Sequence, residues 1–172
     1  VDDSIYDAAG NEASTSQSNN TATLNDDILP IITSVSLAAN NSTLAVTFSE
    51  SVYKATGGSG ALEVGDFVFS ITLGAATLSS TAPTSISISG NVYTLGIGLS
   101  GNANGNEVLV VNPVDNSIYD AAGNKAGTSQ SNNTATLNEK IVPIISSVAL
   151  ASDNSTLAVT FSEAVDNSNS GT

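Results

Sequence analysis

Ser42-Thr43-Leu44-Ala45-Val46-Thr47-Phe48-Ser49-Glu50 places Leu44, Val46 and Phe48 on one side of an extended chain and Thr43, Ala45, Thr47 and Ser49 on the other. A period of two with one apolar face predicts a half-buried β-strand. Working outward, Ile31 to Ala38 predicts the strand before it, with Thr33, Val35 and Leu37 on one face, and Asn40-Asn41 predicts the turn that makes the two a hairpin. Downstream, one strand each is predicted by Phe67, Phe69 and Ile71; by Ile86 and Ile88; by Tyr93, Leu95, Ile97 and Leu99; by Val108 to Val111; and by Thr134 to Leu137. Gly90-Asn91 and the glycine- and asparagine-rich residues 101–106 supply turns between them.

The same nine letters return at residues 155–163, as part of a longer recurrence. Residues 1–52 match residues 114–165 at a constant offset of 113, without a gap, and 41 of the 52 pairs are identical. Such a match marks a tandem duplication. It predicts the tail of one repeat in residues 1–29, a whole repeat in residues 30–142 and the head of the next in residues 143–172, so that both ends are expected to fall inside domains of a longer array. About seven short strands per repeat predict an all-β fold, an immunoglobulin-like β-sandwich without the Cys and Trp hallmarks of antibody domains. A β-helix would need a much shorter period.

Composition narrows the chemistry. The 172 residues include no Cys, His, Trp or Met, while Ser, Thr and Asn supply 64 of them. Thiol and imidazole nucleophiles, disulfides and the usual zinc ligand sets are thereby excluded. A net charge of -13 repels phosphate backbones and anionic membranes, so no nucleic-acid partner is expected. No run approaches the roughly 18–20 apolar residues of a membrane span, and no membrane insertion is expected. Serine and threonine abound but have no evident activating base. A glycosidase-type carboxylate pair is disfavoured because four Tyr and four Phe, several of them core candidates, leave few platforms for a sugar. No lysine recurs between the copies, which argues against a Lys-to-Asn amide cross-link built into each repeat. No enzyme is expected.

The stretches STLAVTFSE at Ser42–Glu50, GNVYTLGIGL at residues 90–99 and DAAGN at Asp120–Asn124 resemble bacterial immunoglobulin-like repeats of giant secreted surface proteins, the SWM-type repeat in particular. The resemblance implies extracellular or cell-surface, tandemly arrayed, non-catalytic modules that carry an adhesive tip, often with calcium at domain junctions. A structural spacer is the first functional expectation. Its rivals are a self-assembling filament subunit that uses strand complementation and a glycan-binding repeat. The expected partners are neighbouring repeats of the same chain and, in a fibre, other copies.

In a sandwich of alternating strands, the incoming chain, the end of the second strand and the loop before the last strand share one pole. That reasoning gathers Asp26, Asp27, Glu50 and Asp120 at the junction between repeats. Carboxylates so gathered repel one another unless a hard cation such as Ca²⁺, which takes 6–8 oxygen ligands, neutralises them. The alternative is that they are solvated loop acids, with Asp120 and Asn124 acting only as turn formers. Asp66 and Asp115 are lesser candidates. Asp26-Asp27 becomes Glu139-Lys140 at the second junction, which predicts weaker cation binding there and a Lys140–Glu163 ion pair instead.

Overall fold

A computed structural model describes residues 4–167. The chain is all-β, and the sole helical element among the described residues is a 3-10 turn at Val64–Asp66. In order along the chain the strands are β1 (Ile32–Leu37), β2 (Thr43–Phe48), β3 (Phe67–Thr72), β4 (Thr77–Leu78), β5 (Ile86–Ser89), β6 (Val92–Gly96), β7 (Leu99–Ser100), β8 (Val108–Pro113), β9 (Thr134–Thr136), β10 (Ile145–Leu150) and β11 (Leu157–Phe161). Every pairing is antiparallel. One sheet has the order β1-β2-β6-β5 and a second the order β3-β8-β9, while β4 pairs with β7 and β10 with β11.

The apolar faces of the two larger sheets meet in one core, an arrangement consistent with a β-sandwich. Leu44, Val46, Phe48, Tyr93 and Leu95 come from the first sheet, and Phe67, Phe69, Leu109 and Val111 from the second. Three rings close the middle of it. Phe48 meets Tyr93 edge-on at 5.6 Å between centroids and Phe67 at 6.3 Å, and the Tyr93 hydroxyl donates to the Val52 carbonyl at 3.1 Å. Asn41 adopts φ 61° in the β1–β2 turn, a conformation that asparagine tolerates well.

Two details depart from simple alternation. Between Ile32 and Ser34 the β1–β2 register shifts, so Ile32 is buried and Thr33, expected beside Val35 and Leu37, is exposed. The bulge resets which parity faces the core. The strand expected from Tyr93 to Leu99 breaks after Gly96, and Leu99–Ser100 pairs with Thr77–Leu78 instead. At Gly96 a Cβ would collide with Ser85 and Thr84, so the loop before β5 lies against bare backbone there.

The two partial copies provide an internal control. β10 and β11 reproduce the pairing of β1 and β2 residue for residue, with the bulge between Ile145 and Ser147 at the equivalent place. Among the described residues no sheet covers them, and Phe161 is 39% exposed where Phe48 is 2% exposed. Residues 4–29 carry no strand, and Leu24 lies open where its counterpart Leu137 is buried.

Phe48→Ala is therefore expected to cost about 3–5 kcal/mol, the usual range for emptying a buried aromatic site. Phe161→Ala, in an identical local sequence, should cost less than about 1 kcal/mol. Urea unfolding of the two variants compares them, and equal losses would contradict the observed packing.

Candidate functional site

The pole where the chain enters is built from three separated segments. Residues 120–124 form a closed loop in which the Asp120 carboxylate accepts from the Gly123 and Asn124 amides and from Asn124 Nδ2, all at 2.7 Å. Gly123 at φ 101° gives the loop its tight return. The motif is local in origin. Asp7, in the partial first copy, closes the same loop with Ala9 N, Asn11 N and Asn11 Nδ2 although nothing packs over it. In the whole repeat Asn124 Nδ2 also donates to the Asp26 carbonyl at 2.9 Å and so pins the incoming chain to the loop. Glu50 follows directly on β2.

Asp26, Glu50 and Asp120 each bring a carboxylate oxygen within 4.8 Å of the others. Asp27 does not join them. Asp27 is exposed. Burial, and then the Asp120 and Asp26 charges, hold the Glu50 carboxyl above its ordinary value. Burial also raises Asp120, but the hydrogen bonds from Asn124, Gly123 and Ala122 outweigh it and the net shift is downward. The group thus holds Asp120 charged and raises Glu50 through burial and its acidic neighbours. A hard divalent cation fits that donor set, with three carboxylates and water to complete the shell.

The other sequence candidates have structural duties. Asp66 is buried and its Oδ2 accepts from Glu63 N at 2.7 Å, closing the 3-10 turn. Asp115 pairs with Lys125 at 2.7 Å, and Lys54 pairs with Glu63. These are the ion pairs among the described residues, and the expected Lys140–Glu163 pair is not one of them. Lys140 is held through its backbone, whose amide donates to the Ala103 carbonyl at 2.7 Å. Beside the acidic pole, a cleft of about 350 Å³ lies against Ser51, Tyr53, Leu62, Ile88 and Tyr93. The Ser51 hydroxyl is bonded to Asn91 Oδ1 at 3.1 Å and the Tyr93 hydroxyl to Val52, and the cleft presents polar and apolar surface in comparable amounts, with one half-buried ring, Tyr53.

At the opposite pole stands a residue that sequence reading passed over. Glu107 is fully buried, yet no lysine faces it. Its carboxylate accepts from the amides of Ala75 (2.7 Å), Ala76 (2.9 Å), Asn104 and Gly105 (3.1 Å each). Burial pushes this carboxyl up, but amides of Ala76, Asn104, Glu107 itself and Ala75 pull it down to about 2. A side chain at Gly74 would occupy the same space, and φ 70° there lies in the left-handed region that favours glycine. Nothing in the sequence around Glu107 marks it, because its partners lie across 31 and 32 residues of chain as well as beside it.

Compared with protein-family models, with curated proteins and with solved structures, the chain gives no match.

Because the Glu107 carboxyl is held low, its contribution to stability is full above the unfolded value of about 4.5 and drains away as pH falls toward about 2. Glu107→Gln should therefore destabilise the protein at pH 7 and narrow its difference from the parent in acid. Thermal melts of both proteins from pH 7 to pH 2 test this, and a constant difference would oppose it.

Proposed function

We propose that this chain is a stretch of a tandem array of immunoglobulin-like repeats, non-catalytic spacers of a secreted or cell-surface protein of the SWM-repeat kind. The observation that carries the reading is the 113-residue recurrence with 41 of 52 positions identical. One foldable sequence copied end to end gains stability from each unit and from its neighbours, so length grows without a new design. The surface chemistry is compatible with that setting: an exterior rich in Ser, Thr and Asn, with few charged residues but a net charge of -13, does not cling to polyanions. Stretching a chain of several repeats between a surface and a force probe should give evenly spaced unfolding peaks, each releasing one repeat of chain at about 3.6 Å per residue. A featureless extension would remove the spacer reading.

A structural calcium ion at Asp26, Glu50 and Asp120 belongs to this reading, supported by the charge that these residues leave unbalanced. Ca²⁺ is expected to bind in the weak range of roughly 10⁻⁴ to 10⁻³ M known for extracellular modules, and to raise the melting temperature by mass action. Glu50→Gln should abolish both effects. Calorimetric titration of the full chain without heat, and melts indifferent to chelator, would leave the three residues as loop acids.

A further inference from the structure

The two partial copies let one linker be seen from both sides. At the first junction the peptide group between Asp26 and Asp27 has its carbonyl held by the repeat that follows, through Asn124 Nδ2 at 2.9 Å. At the second junction the peptide group between Glu139 and Lys140 has its amide held by the repeat that precedes, through the Ala103 carbonyl at 2.7 Å. An offset of 113 carries Asp26 onto Glu139 and Asp27 onto Lys140, so these are the same peptide group in successive repeats. A trans peptide directs its N–H and its C=O to opposite sides, and no cis bond occurs among the described residues. Both grips can therefore act at once on a single peptide. The linker also takes the same local turn at both places: Asp26 Oδ1 accepts from the amide of Ile28, and Glu139 Oε1 from that of Ile141.

We propose that this peptide group is a two-sided rivet between consecutive repeats, its carbonyl bonded to the repeat ahead and its amide to the repeat behind, and that it fixes their relative orientation without a cation. The partner surface is the acidic pole of the next copy of the repeat, and the inference rests on the tandem-array reading. Both grips are built sites. On the near side, Asn41, 3% exposed, donates to the Asn138 carbonyl at 2.7 Å and accepts from the Asn138 amide at 2.9 Å, which locks the residue before the rivet. Glu107 ties down Asn104 and Gly105, next to the Ala103 carbonyl, and a Cβ added at Gly105 would come within 3.4 Å of the Glu139 Cβ. On the far side, Asn124 is held in turn by Asp120. Pro30, four residues past Asp26, is already buried in the repeat that follows, so little free chain remains between one body and the next.

The test has two arms. In the full 172-residue chain, Lys140 has a repeat behind it and Asp27 has only a partial one. The Lys140 amide is therefore expected to exchange with deuterium roughly 100-fold more slowly than the Asp27 amide, relative to free-chain rates. Equal exchange would overturn the near-side grip. In the second arm the chain is lengthened by a copy of residues 30–113 placed before Val1, which completes the repeat ending at residue 29. Residual dipolar couplings are recorded in chelator. Two folded repeats with one common alignment tensor are expected, and Asp27→Pro, which deletes the amide, and Asn124→Ala, which deletes the far donor, should each split it into two. Independent tensors in the parent chain, a common tensor that survives both variants, or one that appears only with Ca²⁺ would overturn the rivet. Failure of the added sequence to fold as a second repeat would instead count against the tandem-array reading and remove the rivet's footing with it.

Discussion

The apolar face of the β1–β2 hairpin must be covered, and the rest of the repeat is arranged to cover it. The chain makes this visible by carrying the hairpin twice. Leu44 has no exposed surface and its counterpart Leu157 is 60% exposed, although the two hairpins share one register and one bulge. Local sequence is enough to set turn, register and bulge. Removing the face from water takes the β3-β8-β9 sheet, which comes from residues 67–136. With each buried aliphatic side chain worth about 1.5–3 kcal/mol of transfer free energy, the covered and bare copies differ by far more than any turn could supply.

The polar groups follow from the same burial, and the two poles answer it differently. A buried carboxylate must find donors or lose its charge. Glu107 is met by backbone amides, which need no cation and cost no side-chain entropy, and its acidity rises accordingly. At the other pole buried Asp120 also finds amides, but half-buried Glu50 meets the Asp120 and Asp26 charges instead, and its acidity falls. One pole is self-sufficient; the other is left with negative charge in excess. That asymmetry is why the proposed cation and the proposed contact with a neighbouring repeat both fall at the entry pole.

Much of this was legible in the sequence, and the failures have physical causes. Strands with clean alternation announce their buried face, as Leu44, Val46 and Phe48 do, and Leu95 and Phe69 likewise lie in the core. Parity failed at Thr33 because a bulge cannot be seen in a pattern of two. The two-residue strands β4 and β7 are too short to have a pattern at all. Asp26, Glu50 and Asp120 could be grouped because strand direction fixes which loops share a pole. Asp27 could not be separated from Asp26 by that argument, since a pole has no left and right until the chain's exact path is known. Glu107 was invisible for a deeper reason: its partners are backbone amides, and every residue but proline has one.

Differences between the copies point the same way as the geometry. Of the eleven positions that change between residues 1–52 and 114–165, three lie in the four-residue stretch before Pro30, where Asp26, Asp27 and Leu29 become Glu139, Lys140 and Val142. The asparagines that grip the linker are unchanged: Asn124 matches Asn11, Asn138 matches Asn25, and Asn41 matches Asn154. A linker held by its side chains would not tolerate an exchange of aspartate for lysine, which reverses a charge. A linker held by its peptide group does, because the gripped atoms are the same in every residue but proline. If that peptide group is the rivet proposed above, side chains at the junction can vary from copy to copy while the gripped backbone atoms stay the same.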